Sequence, residues 1–340
     1  MAYYMYVALQ GDNKISVLTI EPQTGKLIPQ TEISVPGGPF TMAISPDRKF
    51  LYAGCRAVPQ LYSFQIDQAN GGLTQNGKLS LETWPVYVNT DRKGKFVLSA
   101  YYQGAHVAVH PIGNDGSVGG APIEWLATAS GAHAMQTDVT NSYAFAPHIA
   151  GNGPNAIFQF KFDENTGRLT ANSPAKVEPE EFLGPRHFCF HPVLDTLYFS
   201  NEQDSSVSGY RLDIATGTLS LFQTITTLPD GYLERNTCSQ IQISASGRFL
   251  YAPNRGHDSI ACFLVDTSTG ALTATGRIAS EARPNAVALG LQDKFLFSAG
   301  QDSGHMASFA VNPDSGELTS METHPLGDGP CWISITELGK

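Results

Sequence analysis

The chain has 340 residues and a formal net charge of −10 at pH 7, and charged residues make up only 15% of it. Hydrophobic residues make up 41%, which excludes intrinsic disorder, and the acidic balance excludes a basic nucleic-acid-binding protein. The 33 glycines and 21 prolines favour a turn-rich all-β chain over long helices or a coiled coil.

The first element in chain order is a predicted strand at residues 3–9, and no targeting segment is expected. No basic region precedes this strand, and its apolar run is too short for a signal peptide. No stretch reaches the roughly 18 apolar residues of a membrane span. The five cysteines are odd in number and widely spaced, and no Cys-x-x-Cys occurs. We therefore expect reduced thiols and a cytoplasmic protein that does not interact with membranes.

One sequence pattern then recurs seven times along the chain. An aromatic-aliphatic strand is followed by a polar gap, a second alternating strand, and a turn of Asp, Asn, Ser or Thr with glycine. The mean spacing of about 48 residues is typical of propeller blades, which have four strands each. A glycine in such a turn supplies the left-handed conformation of a tight hairpin. The seven turn glycines are Gly25, Gly72, Gly116, Gly167, Gly217, Gly270 and Gly316.

The two ends of the chain are complementary in this repeat. The chain begins at a strand of the second kind in the blade and ends, at residues 329–336, with an inner strand that has no later partner. Pairing of these two strands would close the ring and remove two exposed sheet edges. We therefore predict an all-β fold in which residues 1–340 form one domain, a seven-bladed β-propeller of four-stranded antiparallel blades.

Side chains that do chemistry in a propeller belong at the starts of the inner strands, where they face the central channel. Most copies carry small or apolar residues there, but three consecutive copies carry histidines and arginines. The segment after the second strand adds further polar residues in two of these blades. Together they supply His133, Arg186, His187, Arg235, Asn201, Glu202 and Arg255. A histidine, a carboxylate and several arginines at one depth form a plausible anion-binding and acid/base set.

At these residues the sequence resembles a known family. Gly-Pro-Arg-His at 184–187, with Asn-Glu at 201–202, is similar to the seven-bladed lactonases, which include propeller-type 6-phosphogluconolactonases and fungal carboxy-cis,cis-muconate cyclases. Residues 45–56, 299–301 and 327–332 extend the resemblance over the whole chain. It implies hydrolysis of a small anionic sugar-acid lactone without a cofactor or a metal, by a monomer or a weak homo-oligomer.

The resemblance also implies roles for individual residues. The family's functional set of a histidine, an arginine, a glutamate and a second arginine falls on His133, Arg186, Glu202 and Arg235. Two departures leave the particular lactone open: Ala134 replaces a common serine, and the loop at residues 147–155 is longer than in the phosphogluconolactonases. Substrate-binding roles are expected for His187, Arg56, Arg255, Asn201, Gln301 and His148.

We expect His133 to be the general base, because Glu202 between two arginines has a lowered pKa and is the weaker base. The arginines would bind the substrate's anionic group and the developing oxyanion. Three alternatives remain. The same residues could serve a cycloisomerase, and many propellers are non-catalytic interaction scaffolds. A metal-dependent lactonase is disfavoured, because such propellers have six blades and carboxylate-rich channels.

Overall fold

The computed structural model describes residues 1–339, in which all the regular elements are β-strands. They form seven four-stranded antiparallel sheets arranged as the blades of a ring, which confirms the predicted seven-bladed propeller. None of the described segments is a helix that could cross a membrane.

The blades are numbered in chain order, and each is given from its inner to its outer strand. Blade 1 contains β28 (Pro330–Leu338), β1 (Ala2–Leu9), β2 (Lys14–Ile20) and β3 (Leu27–Ser34). Blade 2 contains β4 (Pro39–Ile44), β5 (Phe50–Cys55), β6 (Gln60–Ile66) and β7 (Leu73–Ser80). Blade 3 contains β8 (Tyr87–Thr90), β9 (Phe96–Tyr101), β10 (His106–Pro111) and β11 (Glu124–Ala127).

The remaining four blades follow the same order. Blade 4 contains β12 (Gln136–Thr137), β13 (Tyr143–His148), β14 (Ala156–Phe162) and β15 (Leu169–Val177). Blade 5 contains β16 (Pro185–Phe190), β17 (Thr196–Asn201), β18 (Ser206–Asp213) and β19 (Thr218–Thr226). Blade 6 contains β20 (Gln242–Ile243), β21 (Phe249–Asn254), β22 (Ser259–Val265) and β23 (Leu272–Ala279). Blade 7 contains β24 (Pro284–Gly290), β25 (Phe295–Gly300), β26 (His305–Val311) and β27 (Leu318–Pro325).

The ring closes within blade 1, as the sequence predicts. The first strand of the chain, β1, pairs antiparallel with the last, β28, so that Met5 lies opposite Ile335. On its other edge β1 pairs with β2, and the blade is therefore completed from both ends of the chain. This arrangement leaves neither strand as an exposed edge that could pair with another molecule.

Buried tyrosines link neighbouring blades through the repeated glycine turns. The Tyr6 hydroxyl donates to the Gly71 carbonyl at 2.9 Å, and the Tyr251 hydroxyl donates to the Gly316 carbonyl at 2.8 Å. Tyr52 and Tyr198 make the same bond to the next blade. The recurring aromatic residue is thus the donor, and the recurring glycine the acceptor, of one repeated hydrogen bond between blades.

The predicted left-handed glycines are found in six of the seven turns. In the second turn the prediction of Gly72 is wrong, because its neighbour Gly71 holds the left-handed conformation with φ 70°. The side chain of Asn70 accepts a hydrogen bond from the Gly72 amide, which places Gly72 one residue past the tight position. Because two glycines are adjacent in this turn, the sequence pattern alone does not show which of them is left-handed.

Burial decreases from the second strand of each blade outwards. All residues of β9, β17, β21 and β25 are buried, whereas most residues of the outer strands β3, β23 and β27 are exposed. Two buried faces leave little room for charged side chains, which explains the low charge content. The charged residues at the channel mouth therefore depart from the general composition of the blades, and their presence there requires a separate explanation.

Candidate active site

One mouth of the central channel contains an open cavity of about 330 Å³. Its walls come from the starts of inner strands and from the segments that follow second strands, in blades 2 to 7. This is the position at which the sequence places the candidate residues. The lining consists of Phe40, Arg56, Trp84, Val86, Tyr102, Gln103, His133, Arg186, Glu202, Arg255, Arg283, Asn285 and Gln301.

A β-bulge turns one residue of several inner strands towards this cavity. In blade 5 the pairing register shifts between Pro185 and His187, so that Arg186 is the extra residue. The same shift after a proline makes Phe40 the extra residue of β4 and Asn285 the extra residue of β24. Bulges redirect side chains out of the regular alternation, and all three of these residues line the cavity.

Glu202 lies at the centre of the polar cluster. Its Oε2 accepts a hydrogen bond from Arg186 Nε at 2.8 Å and another from Arg255 Nη2 at 3.1 Å. Glu202 follows β17, and Arg255 follows β21 at the equivalent position of the next blade. Arg255 Nη2 also donates to the Cys238 carbonyl at 2.9 Å, which fixes the guanidinium beside the carboxylate.

The charges of this cluster stabilise one another. Burial alone would raise the pKa of Glu202, but the positive charges of Arg186 and Arg255 outweigh that effect and lower the pKa to about 2. Burial and the neighbouring Arg255 lower the pKa of Arg186 to about 9, so this guanidinium remains charged at pH 7. At neutral pH the site therefore holds one carboxylate between two guanidinium groups.

His133 contacts the same cluster from blade 4. Its Nε2 lies 4.0 Å from Glu202 Oε2, and its amide N–H donates to the Pro147 carbonyl at 3.0 Å. Burial and the positive charge of Arg186 hold the pKa of His133 well below its ordinary value. The imidazole is thus neutral at pH 7, and its buried Nδ1 has no hydrogen-bond partner among the described residues.

A loop packs behind the side of the cavity that contains His133. The ring of Tyr102 packs edge-on against the His133 imidazole, with centroids 5.7 Å apart, and its hydroxyl donates to Asn152 Oδ1 in the long loop at 147–155. The side chain of Gln203 fastens this loop to the site, because its Oε1 accepts from the Ala150 amide at 3.0 Å. The loop therefore supports Tyr102, a residue of the cavity wall, and contributes no lining residue of its own.

The opposite side of the cavity is aromatic and basic. Arg56 lies over the rings of Trp84 and Phe40, and Arg283 Nη1 lies 3.5 Å from Asp302 Oδ1. Sequence reasoning missed several lining residues, although the proline before a bulged position was visible for Phe40 and Asn285. The missed side chains are Phe40, Trp84, Val86, Tyr102, Gln103, Arg283 and Asn285.

The structure brings six of the ten predicted residues together. His133, Arg186, Glu202, Arg255, Arg56 and Gln301 all line the cavity. The second arginine of the cluster is Arg255, which bonds Glu202 directly.

The predicted position of Arg235 at the channel is wrong. The first inner residue of blade 6 that pairs with the second strand is Cys238, which bridges to Asn254. Arg235 precedes this point by three residues and lies exposed in the preceding loop. The residue equivalent to Arg186 in this blade is the buried Ser239, whose hydroxyl donates to the Pro284 carbonyl at 2.7 Å.

Two further predicted substrate contacts are also wrong. Asn201 is buried within blade 5, where its Nδ2 donates to the hydroxyls of Ser206 at 2.8 Å and Ser208 at 2.7 Å. His148 is fully buried, and its two ring nitrogens bond the Ala146 carbonyl and the Thr128 hydroxyl, both at 2.9 Å. Asn201 bonds only within its own blade, His148 bonds the segment that follows β11, and neither side chain lines the cavity.

His187 lies deeper in the channel than predicted. Its ring packs against His133 with centroids 5.2 Å apart and against Tyr87 at the same distance. It lines a second cavity of about 410 Å³ at the other mouth, together with Trp332. Burial and the charge of Arg186 hold the pKa of His187 well below its ordinary value. His187 therefore separates the two cavities and is not part of the wall around Glu202.

The described residues include no group of three or more His, Cys, Asp or Glu side chains placed to hold a metal ion. Glu202 is the one carboxylate of the cavity lining, and two arginines bond it.

Comparisons with known proteins agree with this geometry. The family model described as "Lactonase, 7-bladed beta-propeller" matches residues 4–335. A 6-phosphogluconolactonase of Pectobacterium carotovorum is 35% identical over 338 residues, which cover 99% of this chain and 100% of that protein. A 6-phosphogluconolactonase of Erwinia tasmaniensis is 32% identical over 306 residues, covering 90% of each chain.

Solved structures share the fold. A periplasmic gluconolactonase of Pseudomonas aeruginosa superposes with a TM-score of 0.91 at 23% identity, over 100% of both chains. A putative 6-phosphogluconolactonase of Bacteroides fragilis has a TM-score of 0.89 at 22% identity, over 99% of this chain and 98% of that one. With the sequence match over almost its whole length, the chain belongs to the seven-bladed β-propeller lactonase family.

Proposed function

We propose that the protein hydrolyses a sugar-acid lactone in the cavity around Glu202. The observation that carries this proposal is a buried carboxylate held by two arginines, with a neutral histidine 4.0 Å away. Hydrolysis of an ester bond requires a base for water and cations or donors for the oxyanion, and this cluster offers both. Relatives named 6-phosphogluconolactonase, among them one that is 35% identical, support the same reaction class.

His133 is the general base in this proposal, and Glu202 is its partner in orienting water. A water molecule at about 2.8 Å from both His133 Nε2 and Glu202 Oε2 fits across their 4.0 Å separation. The low pKa of Glu202 makes it a poor base but a permanent hydrogen-bond acceptor. The neutral imidazole takes one proton of the water as its oxygen attacks the lactone carbonyl, and it returns the proton to the leaving ring oxygen.

The arginines stabilise the negative charge that develops on the carbonyl oxygen. Arg186 Nη1 and Arg255 Nε are buried without a hydrogen-bond partner among the described residues, although both side chains bond Glu202 through other nitrogens. These N–H groups have no other hydrogen-bond partner to lose, and in this proposal they donate to the tetrahedral oxyanion. Fixed donors in a largely buried site need little reorganisation during the reaction, which is the main source of such stabilisation.

The proposal is tested on a substrate panel in a pH-stat, which records acid release when a lactone is hydrolysed and proton uptake when a carboxylate is converted into a lactone, with the spontaneous rate subtracted. The panel contains sugar-acid lactones, with and without a phosphate group, together with a carboxymuconate. We expect saturable hydrolysis of at least one lactone. Turnover of the carboxymuconate alone would favour the cycloisomerase, and turnover of no compound would favour a non-catalytic scaffold.

We further propose that hydrolysis needs no metal ion, because the cavity's carboxylate is already neutralised by Arg186 and Arg255. Activity that survives extensive chelation supports this view, and activity restored only by added metal contradicts it. A cytoplasmic location and a monomeric or weakly associating state complete the proposal. Cell fractionation and sedimentation of the purified protein test these two points.

A further inference from the structure

The side chain of Gln203 connects Glu202 to the loop at residues 147–155. Its Nε2 donates to Glu202 Oε1 at 3.5 Å, and its Oε1 accepts a hydrogen bond from the Ala150 amide at 3.0 Å. Both arginines of the cluster bond Oε2, and no other donor among the described residues bonds Oε1. A single amide group therefore contacts the second oxygen of the carboxylate on one side and the loop on the other.

The surrounding backbone holds this amide group in a narrow space. The Gln203 amide N–H donates to the Leu183 carbonyl at 3.2 Å, and the Glu202 amide N–H donates to the Gly184 carbonyl at 2.7 Å. A Cβ atom at Gly184 would overlap Gln203 Oε1, and a Cβ atom at Gly151 would lie 3.2 Å from Gln203 Nε2. The side-chain amide thus lies between two glycines, which leave just enough room for it.

The same loop supports His133. The Ile149 amide of the loop donates to the Gly131 carbonyl at 3.0 Å, two residues before His133. The Asn152 side chain accepts from the Tyr102 hydroxyl, and the Tyr102 ring packs against the His133 imidazole. The loop is therefore connected to both side chains between which the proposed water molecule lies.

The orientation of the Glu202 carboxylate determines the geometry of this water site. Because both arginines bond Oε2, they fix the position of that oxygen but leave Oε1 free to swing around it. The contact from Gln203 limits this rotation. Rotation would turn the lone pairs of Oε2 away from His133 Nε2, which lies 4.0 Å away. A displacement of about 1 Å at a reacting centre can lower a rate by about 100-fold.

We propose that Gln203 is a positioning residue for lactone hydrolysis, which acts by orienting Glu202 and by holding the loop. This inference rests on the proposed function and adds a residue that the mechanism above does not use. Gln203 does not line the cavity and therefore does not contact the substrate. Its loss should consequently lower kcat without a change in KM, unlike the loss of a residue that binds substrate.

The kinetic test uses two substitutions of Gln203. Gln203→Met keeps the length of the side chain but loses both hydrogen-bonding groups, and we expect kcat to fall by about 10-fold or more while KM stays within about 2-fold of the wild-type value. Gln203→Glu keeps an oxygen for the Ala150 amide but places a second negative charge beside Glu202, and it should not restore kcat. An unchanged kcat in Gln203→Met, or a wild-type kcat in Gln203→Glu, would overturn the proposed role.

Gln223 provides a matched control. It is half-buried like Gln203, and both ends of its amide group bind backbone in a neighbouring segment. Its Nε2 donates to the Leu272 carbonyl at 2.8 Å and its Oε1 accepts from the Leu272 amide at 2.7 Å, which links the outer strands of blades 5 and 6. Gln223→Met should keep the wild-type kcat and KM. A loss of kcat similar to that in Gln203→Met would contradict a specific role of Gln203.

A spectroscopic measurement makes the test independent of catalysis. The Nε–H group of Arg186 donates to Glu202 Oε2 at 2.8 Å, so its NMR resonance reports the orientation of the carboxylate. Arg186→Lys lacks this group and identifies the resonance. We expect the resonance to shift in Gln203→Met and to stay in place in Gln223→Met. If no lactone is hydrolysed but this shift is found, the proposed function fails and the orientation of Glu202 by Gln203 stands. If the resonance does not shift in Gln203→Met, the inference is refuted, whatever the rates are.

Discussion

Replacing Glu202 by glutamine removes the negative charge between Arg186 and Arg255 while preserving the side-chain shape. The pKa of Glu202 is lowered from an ordinary value of 4.5 to about 2, and its side chain is only 18% exposed. A shift of this size corresponds to about 3 kcal/mol of folding free energy at pH 7. Removing one partner of a buried ion pair lowers the free energy of unfolding by a similar amount, because it leaves the buried charges of the two arginines without compensation.

The sign of the pH dependence is fixed by the direction of this shift. A carboxylate with a depressed pKa stabilises the folded protein above its unfolded pKa and loses that contribution as the pH falls through the folded pKa. The stability difference between wild type and Glu202→Gln should therefore stay near 3 kcal/mol from pH 7 to about pH 5. Below about pH 4.5 it should shrink by roughly 1.4 kcal/mol per pH unit.

Urea denaturation followed by circular dichroism measures this difference at several pH values. Glu124→Gln is the matched control, because the Glu124 side chain is similarly covered at 17% exposure, but its partner Arg168 is 64% exposed. Such a pair contributes at most about 1 kcal/mol. A Glu202→Gln variant as stable as the wild type, or a difference that does not change with pH, would refute the reasoning.

Three further predictions concern protonation and the links between blades. Because the pKa of His133 lies well below its ordinary value, kcat/KM should not fall between pH 7.5 and 6. A decrease of kcat/KM with an apparent pKa near 6.5 would contradict a neutral His133 base. Burial lowers the pKa of His110 and His148 to about 4, so acidification from pH 7 to 5 should destabilise the fold by about 2 kcal/mol for each, as measured by urea denaturation. Their replacement by Gln should flatten this slope, and an unchanged slope would count against the assignment. Tyr251→Phe should lower the free energy of unfolding by about 1–3 kcal/mol in the same assay, because it leaves the buried Gly316 carbonyl without a hydrogen bond. Tyr143→Phe is the control and should lower it by less, because the hydrogen bond of the Tyr143 hydroxyl is exposed. Equal losses in the two variants would argue against the link between blades.

The fold was accessible from the sequence because its period is repeated in every blade. The turn glycines and the tyrosines that bond them recur with the blade, and each copy strengthens the interpretation of the others. The phase of the two ends predicted the pairing of β1 with β28. The repeat did not resolve one local detail, namely whether Gly71 or Gly72 takes the left-handed conformation in the second turn.

The candidate site was less accessible because it depends on single departures from the repeat. The Gly-Pro-Arg-His segment located Arg186, since the proline marks the bulge that turns this side chain towards the channel. Blade 6 lacks that proline, and the sequence therefore gave no sign that its inner strand starts at Cys238, three residues after Arg235. The pairing of Arg255 with Glu202 depends on the relative position of two blades, which no local pattern encodes.

The most direct test of the central claim is kcat/KM for lactone hydrolysis in His133→Ala, with His305→Ala as the control. His305 lies in β26, where its Nδ1 is 2.6 Å from the Ser303 carbonyl oxygen, and it does not line the cavity. We predict that His133→Ala loses about 100-fold or more while His305→Ala keeps the wild-type value. Wild-type activity in a folded His133→Ala variant would contradict the assignment of the base and the site built around it.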